Sequence, residues 1–208
     1  KHTSNIREPV WSPVANKILF RDYYENLYIV DANSGIVEQR IDSGENAQWS
    51  PDGLYVYYLA LSGNQIRKMD ISSRESKLIY HAEDIQQFSL SRSGENIIVS
   101  HKDFLVVIDI DGSNTRIIVE TTSAWEFPNY ENLSWSFDNK LIVVSANIEH
   151  SRHIIEINPS TGARKKVYQN GFRPSCNPVR SLVAFTNDYI DPKGFCLLDL
   201  TTERLQII

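Results

Sequence analysis

No stretch of this sequence reaches the run of about 18 consecutive apolar residues that a membrane-spanning helix needs. Cysteine is nearly absent. Cys176 and Cys196 are the only two in 208 residues, too few for a disulfide framework. Basic clusters are short as well. Lys and Arg number 21 against 26 Asp and Glu, a net charge of −5, and the longest basic run is Arg164-Lys165-Lys166, which reads as a solvated strand edge. A surface built for nucleic acid needs clustered cations, so that class of partner is excluded. Lys1 is followed by polar residues. No signal peptide is therefore expected, although a processed N-terminus looks the same. No Gly-x-Ser-x-Gly, His-Glu-x-x-His or phosphate-loop motif occurs, so no catalytic residue and no cofactor is expected. Convincing helical periodicity is missing throughout.

What is present is a repeat. Trp11-Ser12-Pro13, Trp49-Ser50-Pro51-Asp52-Gly53, Leu90-Ser91-Arg92-Ser93-Gly94, Trp135-Ser136-Phe137-Asp138-Asn139 and Cys176-Asn177-Pro178 fall 38, 41, 45 and 41 residues apart. An Asp or Asn follows each anchor by 19 to 23 residues, at Asp31, Asp70, Asp109, Asn158 and Asp199. Between these landmarks lie short runs of Val, Ile, Leu, Tyr and Phe bounded by turn residues, the signature of strands and hairpins. Proline presets φ and glycine accepts positive φ in the turn after each anchor. Four strands per unit of about 40 residues is the pattern of a propeller blade.

These residues resemble the repeats of TolB and of the dipeptidyl-peptidase IV and prolyl oligopeptidase type propellers, whose blades carry Trp-Ser-Pro-Asp-Gly, as WD40-like repeats do in their own way. The resemblance spans all five units. It implies an all-β β-propeller of five four-stranded antiparallel blades, or part of a larger one. The expected blades are about 6–41, 46–80, 85–119, 131–168 and 172–208, in a single domain over 1–208. A closed ring is expected to close by packing between blades one and five. Trp11, Trp49 and Trp135 share one repeat position and are expected to pack between blades. Cys176 and Cys196 fall on the first and third strands of one blade. Their backbones are then about 10 Å apart, too far to bridge, and both thiols are expected free and buried.

Function is expected in loops. The connections between second and third strands share a ring face with the inter-blade connections, and this face gathers Tyr23, Tyr24, His101, Trp125, Phe127, Tyr130, His150 and Tyr189. Exposed aromatics there suit a protein or peptide partner, with carbohydrate as a further possibility. The loop holding Trp125, Phe127 and Tyr130 either presents those rings or folds back over its own blade. Glu149, His150 and His153 hint at a metal, with His101 as a third ligand, but metal-binding His pairs at that spacing normally need a helix and no metal site is expected. Asp109 to Asn114 is a hairpin turn rather than a calcium loop, because its glycine stands fourth and not sixth. Asn132-Leu133-Ser134 fits a glycosylation acceptor by common accident. The leading expectation is a non-catalytic binding platform. The alternatives are a regulatory propeller detached from a peptidase and a propeller glycan lyase or hydrolase. The resemblance to TolB suggests a periplasmic or extracytoplasmic setting.

Overall fold

Every regular element among the described residues, 6–120, 131–148, 151–187 and 194–208 of this computed structural model, is a β-strand. The chain divides into two compact units, Lys1–Ile85 and Gln86–Ile208. The first is one antiparallel sheet of β1 (Arg7–Trp11), β2 (Lys17–Arg21), β3 (Asn26–Asp31), β4 (Val37–Trp49), β5 (Tyr55–Ala60), β6 (Gln65–Asp70) and β7 (Ser76–His81), in that order. The second holds three sheets of four: β8 (Ile85–Leu90, all but its first residue) to β10 (Phe104–Asp109) through β9 (Asn96–His101), with β11 (Arg116–Glu120) outermost; then β12 (Glu131–Trp135), β13 (Ile142–Ile148), β14 (Ser151–Ile157) and β15 (Arg164–Gln169); then β16 (Gly171–Cys176), β17 (Leu182–Asn187), β18 (Gly194–Asp199) and β19 (Leu205–Ile207).

Sheets of seven, four, four and four are not five fours. The reason is β4, which runs unbroken for 13 residues where the sequence suggests a connection. Its first half pairs with β3 (Tyr28↔Arg40, Ile29↔Gln39) and its second half with β5 (Gln48↔Tyr57, Trp49↔Val56). One strand therefore closes the first repeat unit and opens the second. Gly44 sits at the changeover, where a Cβ would come within 2.5 Å of the Leu59 carbonyl oxygen.

After the anchors Trp49, Leu90 and Trp135 the turn is closed by the serine that follows. Ser50, Ser91 and Ser136 are all buried. Tyr55 N–H donates to Ser50 Oγ at 2.9 Å, and Leu141 N–H to Ser136 Oγ at 3.0 Å. Two of these hydroxyls donate onward to the aspartate two residues later, Ser50 to Asp52 at 2.5 Å and Ser136 to Asp138 at 2.7 Å. The Ser50 hydroxyl and the Leu54 N–H hold the Asp52 carboxyl below the usual carboxylate range.

Within each unit, repeats seat on the one before through the anchor. Trp49 Nε1 donates to the Val10 carbonyl at 3.1 Å, and Trp135 Nε1 to the Ser89 carbonyl at 3.0 Å. Val10 and Ser89 each directly precede the earlier anchor, Trp11 and Leu90. Cys176 follows the same rule with a weaker donor, its thiol lying 3.8 Å from the Ser134 carbonyl. Around these contacts the cores form. Leu19, Leu27 and Ile29 meet Trp49, Val56, Tyr58 and Met69. Ile98, Leu105 and Val107 meet Trp135, Ile142, Val144 and Ile155. Val143 and Ile154 meet Cys176, Val183, Phe185 and Cys196. The sheet β12–β15 is therefore buried on both faces, which is why consecutive apolar residues stand at Ile142-Val143-Val144 on β13 and Ile154-Ile155 on β14.

Both cysteines are free and buried, as their strand positions require. One expectation fails: Trp11 is 62 % exposed, whereas Trp49 and Trp135 are buried. The packing of Trp49 and Trp135 comes from the preceding repeat of their own unit, and within the first unit no described sheet lies over Trp11.

Candidate functional site

The turn between β2 and β3 carries the two described aromatics of the expected binding face that stand open to solvent. Tyr23 is 57 % and Tyr24 74 % exposed. Their rings meet edge to face, centroids 5.6 Å apart at 85°, and the Arg7 guanidinium lies 5.6 Å from the Tyr23 ring centre. The backbone below them is fixed by Asp22. One oxygen of this buried carboxylate accepts the N–H groups of Tyr24 and Asn26, each at 2.9 Å, and the other accepts the Asn26 side-chain amide at 3.1 Å. Burial pushes the Asp22 carboxyl up, and these donated hydrogen bonds outweigh it, leaving it below its ordinary value. Glu25 turns the chain with φ of 64°.

Beside this turn stands a charge cluster that no motif announces. The buried Arg21 guanidinium bonds Glu8 at 2.7 Å and Glu45 at 3.5 Å, and pairs closely with Glu25. Its Nε has no acceptor among the described residues. The three carboxylates come from β1, the turn and β4, residues spread over the sequence and gathered only by strand register. The pairing Arg7↔Arg21 sets Glu8 beside Arg21, and the continuous β4 delivers Glu45. Nothing in the local sequence foretells this.

The other expected site residues fare differently. His101 is buried, its ring stacked on Phe104 with centroids 4.2 Å apart at 16°, so it is a packing side chain and not an exposed rim residue. Trp125, Phe127, Tyr130, His150 and Tyr189 lie outside the described residues. His153, considered as a metal ligand, is buried with Nδ1 3.2 Å from the Ser151 carbonyl oxygen. Among the described residues no three His, Cys, Asp or Glu side chains converge as metal ligands do. Asn132 takes φ of 57° at a bulge three residues before Trp135, a backbone role that Glu8, Asn46 and Arg173 fill before Trp11, Trp49 and Cys176.

A second titratable group stands apart from the loops. Glu156 on β14 is buried beside a cleft of about 130 Å³ lined by Lys165, Leu198, Asp199 and Glu203. Burial raises its carboxyl; Lys165 pulls it down, though Lys165 is itself paired with Glu203. A carboxyl raised above its unfolded value costs stability when ionised, and the cost is relieved as pH falls through the folded pKa. Glu156→Gln should therefore be more stable than the native chain at pH 7, with the gap closing as pH is lowered toward about 4. Urea midpoints measured across that range check it. A gap that widens in acid contradicts the assignment.

The fold has clear relatives among solved structures. Over 97 % of this chain and 53 % of the other, it matches TolB from Acinetobacter baumannii with a TM-score of 0.74 at 19 % identity. A putative TolB from Agrobacterium tumefaciens matches over 98 % and 80 % with a TM-score of 0.75 at 14 % identity. A chain of a nidogen–laminin complex matches over 98 % and 79 % with a TM-score of 0.71, also at 14 % identity. The chain thus spans about half the length of the Acinetobacter TolB. No protein-family sequence model matches it, and no curated protein does. The chain has a TolB-like β-propeller fold.

Proposed function

We propose that this chain is a non-catalytic β-propeller platform that binds a protein or peptide partner through aromatic loops on one face. Its repeat units count as five blades of four strands, with β4 serving as the last strand of one and the first of the next. The blades over 1–208 act together as a scaffold for those loops. The Tyr23–Tyr24 turn is the described part of the surface, and Trp125, Phe127, Tyr130, His150 and Tyr189 are assigned to the same face. His101 supports it from below rather than touching the partner.

The observation that carries this reading is the Tyr23–Tyr24 pair. Two large rings stand open on a turn whose backbone is pinned by the Asp22 carboxylate. Tyrosine on a rigid mount gives contact area at small entropic cost, the property that makes it frequent at interface hot spots. The nidogen–laminin neighbour, a protein complex by its own description, is consistent with this use of the fold.

Selection of a displayed random-peptide library on the purified chain tests the proposal. The native protein should enrich peptides sharing a motif. The same peptides should bind the Tyr23→Ala/Tyr24→Ala double variant at least about tenfold more weakly, the loss typical of interface hot spots. Enriched peptides that bind the double variant equally well, or no enrichment at all, would overturn it.

A further inference from the structure

Glutamate is almost never fully buried without a partner, because an ionised carboxylate out of water needs donors to offset its lost hydration. Glu156 on β14 breaks this rule. It is 8 % exposed, and no described residue donates a hydrogen bond to its carboxylate. Its neighbour across the strands is Lys165, by the pairing Glu156↔Lys165. That ammonium bonds the Glu203 carboxylate in the turn after β18 instead. The attraction of Lys165 therefore offsets only part of the cost of burial.

This carboxylate lines the cleft of about 130 Å³ between β14–β15 and the end of β18. The rest of the lining sorts into two kinds. Val167, Leu198 and Leu200 are apolar walls, and all three belong to the core that the two sheets share. The charged groups already have other work. Asp199 accepts the N–H groups of Thr201 and Thr202 at 2.8 and 2.9 Å, and Lys165 and Glu203 hold one another. Lys166 is exposed and sits in the Ile155 row, one position off that of Glu156. Among the lining residues Glu156 is the one carboxylate left without a donor.

We propose that this cleft is a binding site for a primary alkylammonium group, whose N–H donors meet the Glu156 carboxylate and whose carbon chain lies along Val167, Leu198 and Leu200. Three points select this chemistry. A buried carboxylate without a donor calls for a cation that brings its own N–H groups, since charge-assisted bonds are about twice as strong as neutral ones. Water brings no charge, and an ordered water takes about three hydrogen bonds, which three apolar walls do not supply. A metal ion lacks its ligand set, because no three His, Cys, Asp or Glu side chains converge among the described residues. Volume sets the length. A cavity of roughly 150 Å³ accepts the six carbons of benzene, so this slightly smaller one admits an amine with a chain of about four or five. A free small amine and the lysine side chain of a partner share this chemistry. The site is built from other residues than the Tyr23–Tyr24 turn and does not rest on that reading.

Titration of the ¹⁵N-labelled chain with n-butylammonium chloride, followed by amide chemical shifts, tests it. The amides of 165–167 and 198–200 should shift saturably with a Kd of about 1–10 mM, within what a five-heavy-atom ligand supplies. n-Butanol keeps the carbon chain and lacks the charge, so it should bind at least about tenfold more weakly. Glu156→Gln, expected above to keep the fold and gain stability, should weaken butylammonium binding at least about tenfold. Nα-acetyl-lysine methylamide separates the two sources. Binding as tight as that of butylammonium assigns the site to a partner's lysine, and no binding assigns it to a free amine. Butanol that binds as well as butylammonium, or unchanged binding in Glu156→Gln, would overturn the proposal. So would a native chain without saturable shifts, including the case in which Lys165→Met binds butylammonium, since Lys165 would then fill the site itself.

Discussion

Trp135→Ala should destabilise the second unit by about 3–5 kcal/mol, the range for emptying a buried tryptophan site, while Trp11→Ala should cost less than about 1 kcal/mol. The two residues hold the same place in the repeat, so composition and local sequence do not separate them. What separates them is the sheet in front. Trp135 lies among Ile98, Leu105, Val107, Ile142 and Val144, with its indole bonded to the Ser89 carbonyl. The alanine variant loses the apolar burial, leaves a cavity between β8–β11 and β12–β15, and strands that carbonyl. Trp135→Phe should restore most of the packing and leave a deficit of about 1–2 kcal/mol for the missing N–H donor. Trp11 has neither contact to lose. Urea unfolding of dilute protein, with m unchanged so that the midpoint reports stability alone, measures all three. Equal losses for Trp11→Ala and Trp135→Ala would mean that Trp11 is packed in solution.

Gly162→Ala should be the costliest glycine substitution, at more than about 3 kcal/mol, against roughly 1 kcal/mol for Gly35→Ala. Both close the same hairpin turn, four residues after Asp31 and Asn158, and both have positive φ, 68° and 71°. The backbone strain of a left-handed alanine is therefore common to the two. Space differs. Nothing lies within 4 Å of a Cβ at Gly35, whereas at Gly162 it would come 1.9 Å from the carbonyl oxygen of Ile118 on β11. That oxygen is backbone in a paired strand, so it cannot swing aside as a side chain would. Arg74 and Glu203 hold the corresponding turn position with φ of 63° and 56°, which shows that strain alone is tolerable there. The same urea measurement compares the pair. Similar losses for both variants would remove the Ile118 contact from the account.

The turns were legible in the sequence because turn chemistry is local. Serine after the anchor, then Pro-Asp-Gly or Ser-Gly, announces the bend whose hydrogen bonds Ser50 and Ser136 make. The Asp or Asn of the next hairpin does likewise, Asp31 accepting the N–H of Ser34 at 2.8 Å. The bulges were not legible, because positive φ before the anchor falls to Glu8 and Arg173 as well as to Asn46 and Asn132, and the first two give no sign of it. The continuity of β4 was hidden for the opposite reason. Residues 42–45 fall between the expected blades 6–41 and 46–80, yet Ser43 pairs with β3 and Gly44 and Glu45 pair with β5. At the candidate site, Tyr23 and Tyr24 were readable as exposed loop aromatics. His101 was misassigned because burial at the end of β9 depends on the Phe104 ring stacked against it. The Arg21 cluster was invisible, since three of its four charges arrive by register from separate strands.

Everything here rests on sheets stacked within each unit so that Trp49, Trp135 and Cys176 reach back to the carbonyl before the preceding anchor. The most direct test is the exchange rate of the tryptophan indole N–H groups, followed by ¹⁵N-edited NMR and assigned with single Trp→Phe variants. The indoles of Trp49 and Trp135 should exchange at least about a hundredfold more slowly than free indole, as buried bonded donors do. Exchange of either at the free rate would contradict the stacking.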